Sequence, residues 1–213
     1  MNKRTIQVVM GIVLGVMVAL IATFRNVLPG FRAPDDRAQE TARLLPDPFP
    51  APALELLDTE ERPWSLSSLR GSVVAIFFGY TNCPDVCPIT LGRLGGLQEA
   101  GVLEGPSLEV VFVSLDPARD TPDRLRTFVA GLPGAVVAVT SGAEDVRAQA
   151  SAFGVMAHER RDAALPPGEY LVDHTARTFL LDPSGRVVAT LPPMASPEEI
   201  RAVVEAVYAS FAA

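Results

Sequence analysis

Six consecutive apolar residues, Val73 to Phe78, run without a polar break into Gly79-Tyr80-Thr81-Asn82-Cys83-Pro84-Asp85-Val86-Cys87-Pro88. A short run of this kind, with no alternation, suits a strand covered on both faces. A helix-like segment follows, so the chain's two cysteines stand at a strand-to-helix junction. Their spacing is about one helical turn, which predicts both sulfurs on one face near the helix start. Backbone amides and the positive end of the helix dipole favour thiolate there.

The rest of the chain repeats the theme. Leu108–Ser114 and Val136–Thr140 are further apolar runs of strand length. Thr121-Pro122-Asp123 predicts a helix start, with Thr as cap and Pro in the first turn. Ser141-Gly142-Ala143-Glu144 reads as a capping box for a helix to about Phe153. Tyr170–Val172 and Thr178–Leu181 read as strands. The turn Asp182-Pro183-Ser184-Gly185 leads into Val187–Leu191, so the last two strands form a hairpin. Ser196-Pro197-Glu198-Glu199 caps a final helix with Ile200, Val203, Val204, Val207 and Phe211 on one face. Strand, helix, strand, helix, strand, helix, hairpin, helix predicts an α/β fold, a mixed sheet flanked by helices. With a cysteine pair at the end of its first long strand, residues 53–213 are expected to be thioredoxin-like.

Thr5 to Phe24 carries no charge over twenty residues and is flanked by Lys3-Arg4 and Arg25. That length crosses a bilayer as one helix, and no Ala-x-Ala cleavage site follows it. Residues 1–25 are therefore expected to be a membrane anchor, with Gly11 and Gly15 in a GxxxG pattern. Residues 26–52, with Pro29, Pro34, Pro46, Pro48, Pro50 and Pro52, read as an extended tether. Counting basic residues on the two sides of the span does not favour an inside amino terminus. The formal charge of -7 offers no basic face, which argues against a nucleic-acid partner.

Two neighbouring thiols can form a structural disulfide, run redox chemistry or hold a soft metal ion. A disulfide closing five residues would constrain the unfolded chain little. Thioredoxin-type enzymes place two residues between their cysteines, and this chain has three. A peroxidatic cysteine needs a threonine three residues ahead, and Thr81 is only two ahead of Cys83.

Three segments, Phe77–Pro88, Ser114–Pro122 and Val172–Gly185, resemble in order and spacing the SCO/SenC family. These are membrane-anchored, thioredoxin-like copper proteins that serve cytochrome c oxidase assembly. The resemblance implies copper ligands at Cys83, Cys87 and His174. Two thiolates and an imidazole suit Cu(I), and mixed sulfur and nitrogen donors also hold Cu(II). The same set is three-quarters of a zinc site, although no third cysteine exists and the only other histidine is His158.

The resemblance also implies a metallochaperone that delivers copper to the copper-bearing subunit of the oxidase by ligand exchange. Its implied partners include other copper chaperones and thiol reductants, and its domain stands on the extracytoplasmic side of the cell membrane. The alternative is a thiol–disulfide oxidoreductase that reduces the oxidase cysteines, or a redox sensor, with Cys83 and Cys87 as the redox-active pair. Among the remaining residues, Asp173 and Asp116 are candidates to support the site. Tyr80 is expected to pack or to line it, and Trp64 to cover the core. His158 reads as a solvated loop residue, and Met156 and Met194 as packing residues rather than soft ligands.

Overall fold

The computed structural model describes residues 43–101, 107–162 and 165–212, together with Met10, Gly15 and Met17. The chain divides into two compact units, Met1–Glu40 and Thr41–Ala213. The apolar run Thr5–Phe24 lies outside the described residues except for those three, and so does Gly11. Among the described residues no helix is long and apolar enough to cross a membrane.

The second unit is a mixed α/β sheet covered by helices. Its strands are β1 (Arg43–Pro50), β2 (Glu55–Asp58), β3 (Pro63–Ser65), β4 (Val73–Gly79), β5 (Leu108–Ser114), β6 (Val136–Thr140), β9 (Thr178–Leu181) and β10 (Arg186–Leu191), and the separate strands β7 (Ala157–Arg160) and β8 (Leu171–His174) form an antiparallel ribbon. The eight-stranded sheet runs β1-β10-β9-β4-β5-β6-β2-β3. Strands β4, β5 and β6 are parallel, and antiparallel strands extend the sheet on both sides.

Every residue of β4 is buried, because helices or loops cover both faces of the sheet. Val73, Ala75 and Phe77 point to one side and pack with Leu91, Leu94 and Leu97 of helix α1 (Val86–Glu99). Leu125 of α2 (Pro122–Ala130) joins that layer, with Ile200, Val203, Val204 and Val207 of α4 (Pro197–Ala212). Val74, Ile76 and Phe78 point to the other side, against Val146, Ala150 and Phe153 at and beyond α3 (Ala143–Ala152). Burying one such aliphatic or aromatic side chain contributes about 1.5–3 kcal/mol.

The expected caps of α2 and α4 form. Thr121 Oγ1 accepts from the Arg124 amide, and Ser196 and Glu199 cap each other reciprocally. Four details differ from the sequence reading. First, the proline-rich segment is not a tether throughout: Arg43–Pro50 pairs with β10. Its prolines are accommodated because β1 is an edge strand whose register shifts between Leu44 and Phe49. Second, α3 is capped at Gly142, without a side-chain bond, and Ser141 donates to Asp145 instead. Third, Phe211 is exposed and Tyr208 takes the buried place on α4. Fourth, β2, β3 and β7 are strands too short to leave a period in the sequence.

Candidate metal centre

Strand β4 ends at Gly79, whose lack of a side chain is required by its neighbours. A Cβ there would lie 2.8 Å from Cys87 Sγ. The chain then turns, with the Cys83 amide donating to the Tyr80 carbonyl at 3.3 Å, and Asp85 caps α1 by accepting from the Val86 amide. Cys83 thus precedes the helix and is half-buried, whereas Cys87 sits in the first helical turn and is fully buried. Helical spacing does not set both sulfurs on the helix. The turn brings the first thiol over the helix start.

Both cysteines are free thiols, and the two are chemically unequal. Cys83 is lowered from the ordinary 9.0 to about 6, chiefly by the thiol hydrogen bond from Cys87, with further bonds from the Cys87 and Asp85 amides and the charge of His174. Burial opposes the shift. Cys87 is pushed strongly upward by that same bond, by burial and by the neighbouring Cys83 thiolate. The pair is therefore a thiolate–thiol couple at neutral pH, with the charge on the more accessible sulfur.

His174 comes from the β7–β8 ribbon. On β8 it shares a face with Val172, two residues away, and across the ribbon it pairs with Ala157. Val172 and Ala157 pack with Cys83, Tyr80 and Tyr170, so this face looks onto the dithiol. The His174 and Tyr80 rings meet edge to face, 5.8 Å between centroids. His174 Nδ1 lies 2.9 Å from the Val172 carbonyl. A carbonyl only accepts, so Nδ1 carries a proton in either state of the ring, and Nε2 is the nitrogen left to offer a lone pair once the ring is neutral. That Nε2 is buried and has no hydrogen-bond partner among the described residues. Leaving such an atom unpaired is costly, and a metal ion on the lone pair would relieve it.

The sequence-predicted trio is thus brought into one neighbourhood. Among the described residues, though, no three His, Cys, Asp or Glu side chains are gathered tightly enough to hold a metal ion. The two thiols bond each other, and His174 acts on Cys83 through space.

The supporting cast differs from expectation. Asp173 faces away from the dithiol, because it alternates with His174 on β8, and pairs with Arg160 at 2.8 Å. Asp116 is buried, receiving Tyr170 Oη at 2.7 Å and Arg119 Nε at 2.5 Å. Arg119 in turn lies over the Tyr170 ring at 3.5 Å and donates to the Tyr170 carbonyl. This latch ties the β5–α2 loop to the residue that precedes β8. Asp120, buried beside the thiols, accepts from the Thr81 amide, Thr81 Oγ1 and Ser114 Oγ. Arg119, Asp120 and Tyr170 were not singled out from the sequence. Arg119 and Asp120 lie within Ser114–Pro122, but nothing in one sequence distinguishes a buried carboxylate from a solvated one. Trp64 packs at the edge of the core as expected. His158 is on a strand rather than a loop, and Met156 and Met194 are exposed.

The family model of SCO1/SenC matches residues 48–209. A protein of Stutzerimonas stutzeri that carries copper binding in its name is 35% identical over 150 residues, covering 69% of this chain and 71% of its own. Protein SCO2, mitochondrial, of Saccharomyces cerevisiae is 32% identical over 137 residues, 64% of this chain but only 45% of the longer yeast protein. Among solved structures, yeast Sco1 with copper bound superposes with a TM-score of 0.65 at 28% identity, covering 75% of this chain and 89% of that one. The chain belongs to the SCO1/SenC family.

Proposed function

We propose that this member of the SCO1/SenC family carries copper between Cys83, Cys87 and His174. It passes the ion to the copper-bearing subunit of cytochrome c oxidase during assembly. The observation that carries the reading is the buried, unpartnered Nε2 of His174 on the ribbon face that packs with Cys83. Two sulfurs and one imidazole suit Cu(I), and Cu(II) is held when sulfur and nitrogen combine. The copper-bound yeast Sco1 and the name of the S. stutzeri relative support the same cargo.

Cys83, largely thiolate at neutral pH, meets the ion first. Cys87 loses its proton as it becomes the second ligand. His174 completes the set from a ribbon separate from the main sheet, so ligation draws that ribbon toward the dithiol. An incoming thiolate, imidazole or thioether on the target then displaces His174 or one sulfur, and the ion moves by exchange. The uncharged run Thr5–Phe24 would anchor the domain to the membrane, on the extracytoplasmic side, with a thiol reductant or copper chaperone as partner. A C-terminal reporter active only outside the cytoplasm is the expected topology result, and a cytoplasmic one contradicts it.

The inequality of the two thiols favours a second reading, thiol–disulfide exchange with the oxidase cysteines. Cys83 thiolate would attack the target disulfide, releasing one target thiolate. Cys87 would then close on Cys83, release the second and leave this chain oxidised, to be reduced again by a thiol partner. The His174→Ala variant separates the two. Anaerobic copper titration of the reduced full chain should show one tightly held equivalent that this variant loses, with turnover on a disulfide target unchanged. Equal copper binding in wild type and variant overturns the copper reading.

A further inference from the structure

The ribbon that carries His174 has a second, outward face. Met156 and Thr175 lie one residue past the last register pair of the ribbon. The Met156 carbonyl accepts from the Thr175 amide at 3.1 Å, and its amide donates to Thr175 Oγ1 at 3.3 Å. The register itself ends at Ala157 and His174, and the Thr175 amide bond carries the antiparallel contact one residue further. Because side chains alternate, Met156 and His158 project from the face opposite Ala157 and His174. Residues two apart on a strand lie about 6.5–7 Å apart at Cα, close enough for a flexible thioether and an imidazole to meet on one ion. Met156 is 74% exposed, so it does no packing work. The His158 side chain is 69% exposed, and its Nε2 lies 3.7 Å from Asp173 Oδ2. Asp173 is itself fixed by Arg160. At 3.7 Å the carboxylate stands near Nε2 without a hydrogen bond to it, and Nδ1 is the ring nitrogen left to face a metal.

We propose that Met156 and His158, with Asp173 behind the imidazole, form a second, weaker Cu(I) site on the outer face of the ribbon. It serves as the landing point from which copper passes to His174 and the dithiol. A thioether and an imidazole select Cu(I) over harder divalent ions. The ribbon places this pair beside Ala157, the cross-strand partner of His174. The landing role rests on the copper reading above, whereas the outer site itself uses neither cysteine nor His174.

The test uses the full chain in detergent with Cys83→Ser and Cys87→Ser, which removes the inner dithiol. Cu(I) is supplied anaerobically against a chromophoric chelator, and the Met156 methyl and His158 ring signals are followed by NMR. One equivalent should bind and shift both signals. Met156→Leu or His158→Gln should abolish it, Asp173→Asn should weaken it, and Met194→Leu should leave it unchanged. No uptake, or equal uptake after Met156→Leu and His158→Gln, overturns the outer site. In the chain with both cysteines, Met156→Leu should slow Cu(I) loading of the inner site without changing its final affinity, and an unchanged loading rate overturns the landing role. Loss of the inner site alone would show instead as wild type binding no more copper than the cysteine-free chain.

Discussion

Replacing Cys87 with alanine tests how the Cys83 thiolate is made. Cys83 titrates at about 6 instead of 9.0, and the Cys87 thiol donating to it is the largest cause. A hydrogen bond to a charged acceptor contributes about 1.5–3 kcal/mol, and about 1.4 kcal/mol moves a pKa by one unit. Removing that donor should therefore raise Cys83 by about one to two units, to about 7–8. The Cys87 amide stays, because alanine keeps the backbone.

The assay is the pH profile of Cys83 alkylation by iodoacetamide, whose rate rises with pH as thiolate forms. Its midpoint is more informative than its rate. At pH 7 a thiol titrating near 6 holds about ninety times the thiolate of an ordinary one, but its intrinsic nucleophilicity is about twenty-fold lower. Wild type should show one reactive cysteine with a midpoint near 6. His174→Ala should move the midpoint less than Cys87→Ala, since the His174 charge is the smallest of the named causes. A Cys87→Ala profile that stays at the wild-type midpoint would refute the assignment.

Two further perturbations test what supports the site. Gly79→Ala places a methyl 2.8 Å from Cys87 Sγ and 3.1 Å from the Phe77 and Phe112 rings. Overpacking of this kind costs about 1–3 kcal/mol, read by urea denaturation, and an unchanged midpoint would show that the β4 end can yield. Asp120→Ala strands the Thr81 amide, Thr81 hydroxyl and Ser114 hydroxyl that it now accepts. A loss of about 3 kcal/mol is expected from these stranded donors, smaller for Asp120→Asn, which keeps an acceptor oxygen. Equal stability of wild type and Asp120→Ala would show that the loop re-pairs on its own.

The central architecture was legible because its signals are local. Val73–Phe78 has to be buried on both faces, and Thr121-Pro122 and Ser196 to Glu199 carry their own caps. What escaped is set by distant partners. Pro46, Pro48 and Pro50 argue for a tether until β10 is there to pair with the residues at either end of their segment. Ser141 resembles a cap until Asp145 competes for its hydroxyl. At the site, His174 lies on the ribbon face that packs with Cys83, while Asp116 acquires its role from Tyr170, fifty-four residues away. Asp173 adjoins His174 in sequence, and strand alternation turns it to the other face. Adjacency in the chain was a poor guide there, and the alternation that corrects it depends on β7, too short to be recognised beforehand.

The central claim is that copper is held by two sulfurs and the Nε2 that is otherwise unpaired. X-ray absorption of the full chain loaded anaerobically with one equivalent of Cu(I) tests it most directly. Two sulfur scatterers and one imidazole nitrogen are predicted, with the nitrogen lost and both sulfurs kept in His174→Ala. A spectrum with sulfur alone in wild type, or an imidazole signal that survives His174→Ala, would contradict the account.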